Sequence, residues 1–168
     1  VLAAAALAQP EELLQRGTTA YNAGDAAQAH RAFVRLSTDT TAPPHLRAQA
    51  FQGLAALAQR RGDPVEAAAQ VDQALATCDA GTCDAPLRAT FFEARGVLKR
   101  GAGDFDGAVA AFEQCASLDA DRACDAALAR LFHHNGHIQD APPRYLRAVA
   151  AASSRTSCRG EGCVSRVP

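Results

Sequence analysis

Six cysteines, five histidines and a serine-rich tail are the residues of this 168-residue chain whose types could carry chemistry. The cysteines fall in three tight pairs: Cys78 with Cys83, Cys115 with Cys124, and Cys158 with Cys163. An even count at close spacing reads as a disulfide set in an exported protein, and six cysteines admit 15 connectivities. Nearest-neighbour pairing is expected. Each pair flanks a Gly- or Asp-rich turn (CDAGTC, CASLDADRAC, CRGEGC) that can bring its Cα atoms to about 4.4 to 6.8 Å. Zinc knuckles generally use C-x2-C spacing, whereas the gaps here are four, eight and four residues, so no metal is assigned to the thiols.

His133, His134 and His137 form the one concentration of imidazoles, and His133 with His137 has the i, i+4 spacing of a helix-face metal pair. Asn135-Gly136 between them reads as a helix end, where His side chains are favourable without any ligand. Helix-end satisfaction is therefore the expected role. Ser153, Ser154, Ser157 and Ser165 lack a nucleophile elbow, and the thiols are expected to be paired, so no catalytic residue and no cofactor is assigned.

The elements that carry these residues follow from composition. Hydrophobic residues make up 48% of the chain but aromatic ones only 5%; 41 residues are Ala, and the basic residues are Lys99 and 16 Arg. Small, strong helix formers dominate, which calls for helices packed closely. A net charge of -1 removes the electrostatic reason to expect nucleic acid. Charge is uneven, with +4 over residues 142–168 and -5 over the first 141, so a basic tail could touch an anionic partner. Residues 1–9 read VLAAAALAQ, with Ala6-Leu7-Ala8 ahead of Gln9 in the small-x-small form of a signal-peptidase site, and no Met occurs anywhere. Residues 1–8 are accordingly expected to be a signal remnant or an apolar N-terminal segment. Gln9 stands where a lipoprotein anchor would need Cys. No other stretch approaches the roughly 20 apolar residues of a membrane span.

A repeat sets the architecture. Gly24-Asp25, Gly62-Asp63, Gly103-Asp104 and Gly136-His137 are each followed by Ala five residues after the Gly (Ala29, Ala67, Ala108, Ala141). Nine residues after the Gly comes a larger apolar residue (Phe33, Val71, Phe112, Tyr145), and seven before it a small one (Gly17, Ala55, Gly96, Ala129). This pattern resembles the tetratricopeptide repeat (TPR), a 34-residue helix-turn-helix unit. The resemblance implies an all-α, right-handed α-solenoid of about four repeats, at 10–43, 48–81, 89–121 and 122–153, with 154–168 a basic, Cys-containing tail. Spacings of 38, 41 and 33 residues between turn glycines put the extra residues in the junctions, at TTAPPH and CDAGTCDAP. Eight helices are predicted, over 10–23, 26–38, 44–61, 64–77, 86–102, 105–117, 123–135 and 141–153.

In TPR proteins the first helix of each repeat lines a concave groove. Carried over by position, the groove residues are Leu14, Thr18, Tyr21 and Asn22, then Gln49, Gln52, Gln59 and Arg60, then Glu93, Val97 and Arg100, and finally Arg130, His133 and His134. The groove would run from amide-rich to basic and suit an extended peptide with a carboxylate near Arg100 and Arg130. The carboxylate clamp of chaperone-binding members is not matched, because Leu14, Thr18, Gly53, Ala56, Thr90 and Ala94 occupy its places. The expected function is a non-enzymatic protein-interaction module of the bacterial envelope or exterior, periplasmic or extracellular. Its partner would be another protein. The alternative is a structural subunit that self-associates into a larger assembly.

Overall fold

The structure is a computed structural model that describes residues 2–79, 83–118 and 123–136. Seven helices follow one another in it: α1 (Leu2–Asn22), α2 (Ala26–Thr38), α3 (Pro44–Arg60), α4 (Pro64–Asp79), α5 (Ala85–Gly101), α6 (Phe105–Leu118) and α7 (Ala123–His134). No strand occurs among the described residues. The expected eighth helix, over 141–153, and the Cys158–Cys163 pair lie outside them. Each helix packs against its neighbours in sequence, and α1 also touches α3. This is the connectivity of an all-α solenoid.

The turns inside the repeats are built alike. Gly24, Gly62, Gly103 and Gly136 have φ of 82°, 74°, 76° and 73°, a region closed to most side chains. In the first three turns the next residue's N–H reaches back over the helix end: Asp25 to Ala20 O at 2.9 Å, Asp63 to Ala58 O and Asp104 to Lys99 O at 3.0 Å. That is a Schellman closure, which satisfies carbonyls the helix leaves open. The same aspartates then cap the next helix, their carboxylates accepting from Gln28 N (2.8 Å), Glu66 N (3.0 Å) and Gly107 N (2.9 Å).

The Asp104 carboxyl also accepts from Lys99 Nζ at 2.9 Å, and that bond, followed by the Gly107 N–H, holds it below its ordinary value of 3.8. A carboxyl depressed by folding contributes stability above its unfolded pKa and loses it as pH falls through the lower folded value. Asp104→Asn is therefore expected to lower the melting temperature at neutral pH and to narrow its gap from the parent as the solution is acidified below about pH 4. Thermal melts across that range check it.

The core is a chain of linked clusters rather than one mass. Leu13, Ala29, Phe33, Leu36, Leu46 and Leu54 join α1, α2 and α3. Val71, Leu75 and Phe91 belong to a cluster joining α3, α4 and α5, and Phe112, Leu128 and Leu131 to one joining α6 to α7. Ala29, Ala67 and Ala108 are wholly buried, as expected of the residue where paired helices cross.

Two aromatic rings pressed onto glycines set the closest approaches. A Cβ on Gly96 would lie 2.7 Å from Phe112 Cδ1, and one on Gly17 would lie 2.5 Å from Phe33 Cε1. Phe33 is held on its other edge as well, since a Cβ on Gly53 of α3 would lie 2.5 Å from Cε2. One ring thus joins the first repeat to the second.

Cys78 is bonded to Cys83 across 5.1 Å between Cα atoms, and Cys115 to Cys124 across 5.8 Å. These are two of the three expected pairs. The second bond ties α6 to α7 through cysteines that are each 1% exposed.

One boundary differs markedly from expectation. Pro10 was expected to open the first helix, yet α1 begins at Leu2 and carries Pro10 inside it. An interior proline costs about 3 kcal/mol in a helix, but the residues before it are nearly all Ala and Leu, the strongest helix formers, and they extend the helix through that position.

Candidate functional site

The first helices of the repeats, α1, α3, α5 and α7, carry the predicted groove residues. A cavity of about 380 Å³ opens between α1 and α3, lined by Leu14, Thr18 and Tyr21 on one side and Gln49, Gln52 and Ala56 on the other. Phe33 and Gly53 complete its wall. The helical period explains the selection, since residues three and four apart share a face. Gln49, Gln52, Gly53 and Ala56 form such a stripe on α3, facing Leu14, Thr18 and Tyr21 on α1.

The chemistry of this cavity is apolar at the floor and amide at the rim. Thr18 Oγ1 donates to Leu14 O at 2.9 Å, which occupies the hydroxyl proton. Gln49 and Gln52 are half-buried. A primary amide offers both a donor and an acceptor, the pair an extended peptide backbone needs. Phe33 is only 3% exposed, so a ligand would meet the side of a packed core rather than a protruding ring.

Arg60 does not line the cavity but packs on Tyr21, which does. Its guanidinium carbon sits 3.5 Å from the centroid of the Tyr21 ring, and Nη1 donates to Tyr21 O at 2.8 Å. Stacking of this kind suits the flat, weakly hydrated guanidinium. It ties the end of α3 to the end of α1. Asn22 and Gln59 are exposed beside this contact and do not line the cavity.

The remaining predicted residues stand apart. Glu93, Val97 and Arg100 are exposed on α5. Arg130, His133 and His134 are exposed on α7, with the two imidazole rings edge to face at 5.9 Å. His137 lies outside the described residues. Around Arg100 the local chemistry is mixed, because the neighbouring Lys99 is already bonded to Asp104.

Phe33 is the lining residue that sequence reasoning placed outside the groove, while Gly53 and Ala56 entered it only as occupants of unmatched clamp positions. Phe33 sits at the large apolar position of its repeat, which marks it as core. The signal for its second role is Gly53, a mid-helix glycine with no turn to make, which is the mark of a close approach.

No family model matches the chain, and no curated protein matches it. Solved structures do. MamA superimposes with a TM-score of 0.67 at 17% identity, covering 88% of this chain and 81% of that one. A putative kinesin light chain from Podosopora anserina with nearly identical TPR-like repeats gives 0.66 at 21% identity, covering 91% of this chain and 78% of that one. A second MamA structure gives 0.52 at 15% identity over 95% and 98% of the two chains. The fold is that of the TPR-like α-solenoids.

Proposed function

We propose that the chain is a non-enzymatic protein-interaction module, whose repeats span 10–43, 48–81, 89–121 and 122–153 and whose helix A groove receives an extended segment of a partner protein. The observation that carries this reading is the α1–α3 cavity, where a small apolar floor lies between Tyr21 and the amides of Gln49 and Gln52. An apolar side chain of the partner would enter above Phe33 and Gly53, while Gln49 and Gln52 bond its backbone. Farther along, Arg100 and Arg130 would take an acidic residue or a terminal carboxylate. TPR-like neighbours support an interaction role in general. A place in the bacterial envelope or outside the cell is part of the same proposal, supported by the two disulfides, which persist in oxidising compartments. Among the described residues no helix is long and apolar enough to cross a membrane.

Partner capture tests the groove. Recovery on immobilised protein is expected to fall at least tenfold with Gln49→Ala and Gln52→Ala together, and again with Arg100→Ala and Arg130→Ala, roughly the loss of one or two net hydrogen bonds per pair. Undiminished recovery in both double variants would sink the groove reading. Light scattering of the full chain should show one mass at every concentration; growth of that mass with concentration would favour self-assembly instead.

A further inference from the structure

We propose that the outer seam between α1 and α2 is a second docking surface, and that its occupant is an acidic amphipathic helix of a partner protein. It is separate from the concave groove, since none of the residues lining it comes from α3, and it stands whether or not the groove binds peptide.

The chain's own repeats say what belongs there. Arg16 lies eight residues before the turn glycine Gly24; the same place before Gly62 is Leu54, and before Gly103 it is Arg95. Leu54 is buried in a cluster with Phe33 and Leu36 of the preceding helix α2. Arg95 reaches back to the preceding repeat's α4, its Nε 3.3 Å from Asp72 Oδ1. In both internal repeats this position faces the second helix of the repeat before it. In the first repeat Arg16 is exposed beside α2 of its own repeat. The third repeat therefore displays the contact that the first repeat is equipped to make: an arginine meeting a carboxylate on a helix laid across the seam.

The surface fits such a helix in shape and charge. Its floor is small and apolar, with Leu13, Ala20 and Ala32 already buried. Arg16 from α1 and Arg31 and Arg35 from α2 surround a cavity of about 250 Å³ over Leu13 and Ala32. The seam continues as a cavity of about 450 Å³ past Thr19 to Asp25. Where the first repeat has Arg31 and Arg35, the second has Ala69 and Gln73 and the third Ala110 and Gln114. The pair of cations is found in the first repeat alone; in the fourth the matching places hold Pro143 and Arg147. Among the described residues none of the three arginines forms an ion pair. The carboxylates nearby are few and partly engaged: Asp25 caps α2, and Asp39, drawn by Arg35, accepts from Thr41. Of the two glutamates on α1, Glu12 lines the seam beside Arg16 and Arg35 as an opposing charge. A helix with a ridge of small apolar residues and carboxylates on its flanks would cover the floor and pair with the arginines; a basic helix would be repelled.

The probe is a stapled, end-capped helical peptide with the sequence of residues 64–77 (PVEAAAQVDQALAT), the helix whose Asp72 meets Arg95 in this protein. Saturable binding to the full chain by fluorescence anisotropy is expected, weakening as salt is raised. Arg16→Glu with Arg35→Glu should weaken it at least tenfold, and a peptide with its two acidic residues replaced by Lys should prefer that variant over the parent protein. Both arginines are exposed, so the variant should keep the parent's circular dichroism and melting temperature. Hydrogen exchange on the unmodified protein gives a second readout, with added protection expected in α1 and α2. No saturable binding, binding indifferent to the charge reversals, or protection that falls on α3 and α5 instead would overturn the proposal.

Discussion

Gly53→Val is expected to destabilise the protein by about 3 kcal/mol or more, a large part of the 5 to 15 kcal/mol typical of a domain. Even the first added carbon would lie 2.5 Å from Phe33 Cε2, and the ring cannot retreat, because its opposite edge is equally close to Gly17. Valine adds two methyl groups to that clash and fixes χ1 in a helix. Helix propensity works the other way, since glycine is about 1 kcal/mol worse than alanine in a helix interior, so the steric conflict must exceed that gain for the prediction to hold. Gly101→Ala is the control. Its added Cβ meets nothing within 4 Å, and that variant is expected to be stabilised by up to about 1 kcal/mol. Denaturant melts of both, together with Phe33→Ala, test the mechanism. Phe33→Ala alone should cost about 3 to 5 kcal/mol, yet its cost and that of Gly53→Val should fall well short of additive, because the first removes what the second collides with. Additive losses would mean that Gly53 is constrained by something other than the ring.

The second large effect concerns the bond between Cys115 and Cys124. It closes a loop of about nine residues, which in the chain-entropy description is worth about 2 to 3 kcal/mol. Both cysteines are nearly fully buried, so replacing them by Ala also leaves space where sulfur was packed. The double Ala variant should melt about 6 to 12 °C lower than the parent, taking about 3 kcal/mol at 2 to 4 °C per kcal/mol for a chain of this size. The pair Cys78 and Cys83 closes about five residues starting in the last turn of α4 and should matter less. Mass spectrometry with and without reductant checks that these four thiols are paired before any melt is read. Equal melting temperatures for the Cys115/Cys124 variant and the parent would show that α6 and α7 hold together by packing alone.

Much of this architecture was legible because its rules are local. At Gly24, Gly62 and Gly103 the turn glycine, the aspartate after it and the buried alanine five residues beyond recur at fixed offsets, and each has a reason that can be stated within one hairpin. The short cysteine spacings likewise left few geometries, and two pairs formed as the turns between them suggested. What could not be read were relations between repeats. Gly53 enters the sequence reading only as an unmatched clamp position, and its contact with Phe33 is a relation between two repeats; Arg60 reads as a groove residue, and its guanidinium lies on Tyr21. The start of α1 differs because residues 1–8 read as a signal remnant or an apolar N-terminal segment ahead of the first helix, whereas their helix-forming run carries α1 through Pro10. Of the candidate groove residues, Leu14, Thr18, Tyr21, Gln49 and Gln52 share one cavity, while those on α5 and α7 stand on helices of their own. A repeat register assigns a face to each residue. It does not say how far apart two such faces will be.

The closures at Gly24, Gly62 and Gly103 bear on how the chain is made. Each turn is sealed by bonds between residues five apart, from an aspartate back to the helix just completed, and each new helix is capped by that same aspartate. Nothing in such a hairpin waits for distant sequence. During synthesis, a pair of helices could therefore fold as it leaves the ribosome and offer its open side as a template for the next pair, so that assembly proceeds in the order of translation with few long loops to close.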